Sequence, residues 1–152
     1  MIRVMFTCHG NICRSTMAEF LFRDKVEKMG FGDRFYIASS ATSREEIGNG
    51  VHHGTRRVLD RFGIDYSKKR AVQLTKEDYD KYDFFIGMDS ANIRNMARIL
   101  GKDDKTFKFL SFAGESGDIA DPWYTGDFEE TYRDVIRAGD GFIEYLKEEK
   151  LI

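Results

Sequence analysis

The chain has 152 residues, 41% hydrophobic and 14% aromatic, and its 24 Lys and Arg against 26 Asp and Glu leave a formal net charge of -2. That size and apolar content suit one domain over residues 1–152 with a single core, while the near-balanced charge excludes the broad positive field that nonspecific nucleic-acid binding needs. No apolar run approaches the roughly 20 residues that span a bilayer, and the segment before Cys8 is too short for a signal peptide, so a soluble, cytoplasmic protein without a membrane partner is expected.

Ile2 to Thr7 is a short, mostly apolar run that ends before Gly10 and Asn11, the pattern of a buried parallel strand. Residues 15–29 read as a helix with Met17, Phe20, Leu21 and Met29 on its apolar face and Gly30 as a left-handed stop. A second strand is expected over Arg34–Ala38, a helix over Gly54–Phe62 stopped at Gly63, a helix start at Thr75–Asp78 and a third strand over Phe84–Met88. Ala91–Leu100 reads as a helix with Ser90 as N-cap and Gly101 as stop, and Thr106–Leu110 as a fourth strand. Phe128, Tyr132, Val135, Ile136, Phe142, Ile143 and Leu146 mark a closing amphipathic helix, loosened at Gly139. Strands alternating with helices imply an α/β fold, a parallel sheet with helices on both faces. Ligands of such sheets bind beyond the carboxyl ends of the strands, which is where the loop after the first strand lies.

That loop is Cys8-His9-Gly10-Asn11-Ile12-Cys13-Arg14-Ser15. A loop of this length wraps its backbone N–H groups round a tetrahedral oxyanion, and the following helix N-terminus adds partial positive charge. Gly10 and Asn11 tolerate the strained angles of such a wrap, and Arg14 offers a planar fork for two phosphoryl oxygens. The same cradle favours a thiolate at Cys8, and the Ser15 hydroxyl is placed to donate to it. A phosphocysteine intermediate follows. The only other cysteine is Cys13; the two, with His9 between them and His52 and His53 far away, form neither a disulfide framework nor a recognisable zinc spacing, and no metal is expected.

The loop, followed by Met17-Ala18-Glu19, resembles the phosphate loop of the low-molecular-weight protein-tyrosine phosphatases, and Asp121-Pro122-Trp123-Tyr124 is similar to their acid loop. Ser39-Ser40-Ala41-Thr42, Gly48-Asn49, Met88-Asp89 and Asn92 also fall in family order. The resemblance implies a flavodoxin-like, doubly wound sheet of four parallel strands in a single domain, and no cofactor. It implies that Cys8 is the nucleophile, Arg14 the phosphate ligand and Asp121 the general acid and then base. Asn11, Ser15 and Ser39 would hold the loop, and Cys13 would be the partner of Cys8 in a protective disulfide, making the enzyme redox-regulated.

A carboxylic acid at position 121 makes chemical sense, because a phenolate leaves poorly unless protonated and phosphocysteine needs an activated water. Trp123 and Tyr124 read as crevice walls for a flat phenyl ring or as core. Deep aromatic walls favour phosphotyrosine proteins and peptides as partners, with inorganic phosphate as product and inhibitor. Three departures from the family stand out. Thr16 replaces a usual proline, His9 replaces an apolar residue and faces either solvent or the crevice rim, and Glu45 stands where relatives often carry an aromatic crevice residue. Ser67-Lys68-Lys69-Arg70, where relatives can have a histidine, reads as a solvated basic face. The competing readings are an arsenate reductase, which needs cysteines that the chain lacks after Cys13, a protein-arginine phosphatase, disfavoured by Ile12 and the aromatic pair, and a noncatalytic phosphate-binding relative.

Overall fold

The computed structural model describes residues 1–152. Along the chain run β1 (Ile2–Cys8), α1 (Arg14–Lys28), β2 (Phe35–Ala41), α2 (His53–Asp60), β3 (Phe84–Gly87), α3 (Ser90–Leu100), β4 (Thr106–Lys108), α4 (Pro122–Thr125) and α5 (Phe128–Glu148). The strands form one parallel sheet in the order β2-β1-β3-β4. From β1 the chain steps outward to β2 and then re-enters on the other side of β1 at β3. The order therefore reverses between β1 and β3, where the diverging loops leave room for a ligand.

Alternation along the strands sends side chains to opposite faces. Val4 and Phe6 of β1, with Phe84 and Ile86 of β3, join a large core with Met17, Leu21 and Phe22 of α1, Val58 and Leu59 of α2, and Phe142 and Leu146 of α5. Met5 and Phe85 point the other way, into a smaller core with Met96 and Leu100 of α3 and with Leu74 and Tyr82. Helices thus cover both faces, as expected. No helix is long and apolar enough to cross a membrane.

Several boundaries differ from the sequence expectation for local reasons. β2 runs on to Ala41 because Ser39 and Ser40 stay in register with Phe6 and Thr7, and their polarity is satisfied inside, Ser40 Oγ lying 3.1 Å from Thr7 Oγ1. The start signal at Thr75 is a genuine capping box with Asp78, but it opens only a 3-10 turn, Lys76–Lys81. β4 stops at Lys108 and gives way to a 3-10 segment, Phe109–Ala113. Asp89, not Ser90, caps α3: its side chain accepts from Asn92 N while the Asn92 side chain accepts from Asp89 N. α5 runs unbroken through Gly139. Two residues on, bare backbone serves packing, since a Cβ on Gly141 would lie 2.3 Å from the Phe112 carbonyl oxygen.

Candidate active site

Cys8 ends β1 and Arg14 begins α1, so the intervening loop is pinned at both ends by regular structure. Asn11 takes φ 62°, in the left-handed region, which turns its N–H onto the Cys8 sulfur at 3.3 Å. Its side chain lies buried beneath the loop. The amide Nδ2 donates one hydrogen to Ser15 Oγ at 2.8 Å and the other to Ser39 Oγ at 2.9 Å, and Oδ1 accepts from Val72 N at 3.1 Å. Ser39 in turn donates to Glu19 Oε1 at 2.5 Å. The Ser15 hydroxyl hydrogen is left uncommitted, and its oxygen lies 3.1 Å from Cys8 Sγ. The expected support residues Asn11, Ser15 and Ser39 are therefore brought together under the sulfur. Thr16, where the resemblance led us to expect proline, donates its hydroxyl to the Cys13 carbonyl at 3.0 Å, as Thr55 does from α2.

The outer end of this chain is charged. Glu19 receives Arg23 Nη2 at 2.6 Å, and Lys69 Nζ lies 3.8 Å from Glu19 Oε1 while donating to the Ser39 carbonyl at 2.9 Å. The expectation of a solvated face over residues 67–70 fails at Lys69, whose side chain is only 13% exposed. Burial lowers its pKa, partly offset by Glu19. Neither Glu19 nor Lys69 was singled out from the sequence for this site. A lone lysine in a basic run gives no hint of its direction, although the i,i+4 spacing of Glu19 and Arg23 does mark a helical ion pair.

Arg14 is likewise enclosed. Nη1 donates to Asp89 Oδ2 at 2.8 Å and to the Ile119 carbonyl at 2.9 Å, and Nη2 to Asp121 Oδ2 at 3.4 Å. Burial alone would weaken the guanidinium charge, but the Cys8 sulfur, the Asp89 hydrogen bond and Asp121 outweigh it and raise the pKa. Asp89 thus does two tasks that the sequence reading missed, capping α3 with one oxygen and fixing Arg14 with the other. Its signal is the Asp-x-x-Asn capping pattern just after a strand. Asp121 stands at the N-cap of α4, accepting from Trp123 N at 3.0 Å, with Pro122 in the first helical turn.

Cys8, His9, Gly10, Ile12, Cys13, Arg14, Glu45, Glu46, Asp121, Trp123 and Tyr124 line one crevice over the loop. Trp123 is 57% and Tyr124 84% exposed, so both are walls and neither is core. His9 meets the rim as well as solvent: its Nε2 lies 2.9 Å from Glu45 Oε2, with both side chains about half exposed or more. Cys8 and Cys13 are both free thiols and buried. Burial, then the nearby Cys8, drives the Cys13 pKa far above the ordinary thiol range. No group of three or more His, Cys, Asp or Glu side chains is placed to hold a metal ion.

The model of the family described as low molecular weight phosphotyrosine protein phosphatase matches residues 3–151. A low molecular weight protein-tyrosine-phosphatase of Bacillus subtilis, YfkJ, is 35% identical over 154 residues, covering 99% of each chain. The PtpA protein of Staphylococcus epidermidis is 36% identical over 96% of this chain and 94% of its own. Among solved structures, that of YfkJ superposes with a TM-score of 0.93 over 99% of this chain and 97% of its own. The Streptococcus pyogenes phosphatase SP-PTP, 40% identical, superposes with a TM-score of 0.86 over 96% of this chain and 93% of its own. By sequence over nearly its whole length, and by a fold whose first loop carries the features described above, the chain belongs to the low molecular weight phosphotyrosine protein phosphatase family.

Proposed function

We propose that the protein is a protein-tyrosine phosphatase that hydrolyses phosphotyrosine and small aryl phosphates through a phosphocysteine intermediate on Cys8. The observation that carries this reading is the committed hydrogen-bond chain beneath the loop. Because Asn11 spends both amide hydrogens on Ser15 and Ser39, and Ser39 gives its own to Glu19, the Ser15 hydroxyl is free to donate to a sulfur anion. A thiolate at Cys8 then receives hydrogen bonds from Ser15 and from Asn11 N, at the amino end of α1.

In the first step the Cys8 sulfur forms a bond to phosphorus as the bond to the phenolic oxygen breaks, and Asp121 gives its proton to that oxygen. The loop N–H groups of residues 9–14 and the Arg14 fork hold the three remaining oxygens, whose charge and spacing they fit better as phosphorus becomes planar. Arg14 needs no reorganisation, since Asp89 and the Ile119 carbonyl already fix it. In the second step Asp121, now a carboxylate, takes a proton from water; the oxygen attacks phosphorus, the sulfur–phosphorus bond breaks, and inorganic phosphate and the Cys8 thiolate are released. Trp123 and Tyr124 flank the phenyl ring, and Ile12 lends the floor an apolar surface. The apolar floor and the aromatic walls favour the flat phenyl ring of tyrosine over a phosphoguanidine.

The reading includes a cytoplasmic setting, no metal or cofactor, no membrane or nucleic-acid partner, inhibition by inorganic phosphate, and a reversible Cys8–Cys13 disulfide on mild oxidation. Hydrolysis of a phosphotyrosine peptide in the presence of a metal chelator, lost in Cys8→Ser, is the expected result. Full activity in Cys8→Ser would remove Cys8 from its role, and faster turnover of phosphoarginine than of phosphotyrosine would overturn the substrate.

A further inference from the structure

The histidine at position 52 is not used by the phosphatase chemistry, yet it sits where three parts of the site meet. Its backbone N–H donates to the carbonyl of Ile12 in the phosphate loop at 2.9 Å. Its ring Nδ1 accepts from Gly54 N at 3.1 Å and so caps α2. A backbone N–H always donates, so Nδ1 must be unprotonated and the ring neutral, with its proton on Nε2. The ring face lies against Phe128 with centroids 5.2 Å apart and planes at 12°, and Trp123 of the acid loop meets the ring edge-on at 5.5 Å. Phe128 can come this close because residue 54 is glycine: a Cβ there would lie 2.4 Å from the Phe128 ring.

We propose that His52 is a positioning residue for the reaction, a neutral imidazole strut that ties the phosphate loop to the acid loop and releases Trp123, and with it the register of Asp121, when the ring takes up a second proton. Asp121 and Trp123 are held to each other by the hydrogen bond from Trp123 N to the Asp121 carboxylate. A shift of the indole that carries the Trp123 backbone with it is therefore passed to the carboxyl group. Protonation at Nδ1 would set an N–H against the Gly54 N–H, so the cap is lost at the same moment as the ring becomes a cation.

The surroundings resist that change. His53 stacks on the same ring at 4.1 Å. Burial lowers the His52 pKa, and His53, Arg56 and Arg57 on α2 lower it further, with only Glu46 across the crevice opposing them. The strut is thus kept neutral at ordinary pH and gives way on the acid side, below the range in which an unperturbed histidine titrates.

Trp123 is the only tryptophan of the chain, and its emission depends on whether the His52 ring stays against the indole, so the strut has its own reporter. Tryptophan emission is followed against pH in the wild-type protein, in His52→Asn, which keeps a cap acceptor but cannot titrate, and in His53→Asn as a control for the stacked neighbour. The expected result is an acid-side change of emission, as the indole leaves the ring, in wild type and in His53→Asn, absent in His52→Asn. The inference rests on the proposed acid role of Asp121 only in its second arm. There, His52→Asn should lower kcat by about threefold to tenfold for an aryl phosphate with a poor leaving group, with KM little changed and a much smaller loss for a good one. An unaltered emission titration in His52→Asn overturns the strut whether or not the enzyme is a phosphatase. Equal kcat losses for the two leaving groups overturn the link to Asp121.

Discussion

The floor and the rim of the crevice are built on opposite principles. Beneath the phosphate loop only the Ser15 hydroxyl hydrogen, which faces the sulfur, is left uncommitted: Asn11, Ser15, Ser39 and Glu19 are all buried and bonded in sequence, and Arg14 is locked onto Asp89. At the rim, Glu45, Trp123 and Tyr124 stand in solvent, and Asp121 is held by its cap and one long contact to Arg14. The difference fits what each half would do in the proposed reaction. Charge developing on phosphoryl oxygens is best met by dipoles that do not move, whereas a rim that admits a protein side chain and carries a proton has to adjust.

If the floor is rigid and electrostatic, its loss should cost most. Arg14→Lys, which keeps the charge but not the fork, is expected to lower kcat by about 10³-fold while leaving the fold intact by circular dichroism; a loss below tenfold would show that charge alone suffices. Asp121→Asn should lower kcat by roughly 10²-fold with a poor leaving group and much less with p-nitrophenyl phosphate, and leaving-group-independent losses would break the assignment of the rim to proton transfer. Asn11→Ala tests whether the floor is one connected unit. It leaves Ser15 without its orienting donor and Val72 N without its acceptor, so unfolding free energy should fall by about 2 kcal/mol in a denaturant titration while kcat falls about tenfold. Glu45→Gln should do least, altering KM for acidic phosphopeptides by less than about threefold because the His9 pair is exposed and screened; a large change in kcat would mean that the rim is less adaptable than described.

The same division explains what could be read in the sequence. The floor announces itself locally, because a tight loop between strand and helix needs particular residue types at fixed spacing, and Cys8, Asn11, Arg14 and Ser15 fall within eight consecutive positions. The strands, the helices and the cover on both faces of the sheet follow from alternation and periodicity, apart from edges such as Ser39 and Ser40, whose polarity conceals a strand that runs on into the site. The long-range partners were hidden. Lys69 reaches Ser39, and Asp89 reaches Arg14, only once the sheet has brought segments separated by 30 and 75 residues together, and neither the basic run nor the cap signal shows which way a side chain turns. Gly139 reads as a weak point in a helix that in fact runs on through it, while the role of Gly141 is set by the Phe112 backbone packed against it, which no local pattern reveals.

The central claim, that the Cys8 sulfur bonds to phosphorus during turnover, is tested most directly by rapid acid quench of the Asp121→Asn enzyme with a p-nitrophenyl phosphate substrate, followed by peptide mass spectrometry. Slowed water attack should let the intermediate accumulate, and the account predicts one phosphoryl group on the peptide that contains Cys8, absent from Cys8→Ser. Phosphoryl transfer to another residue, or steady hydrolysis with no covalent phosphate on Cys8 at any time point, would contradict it.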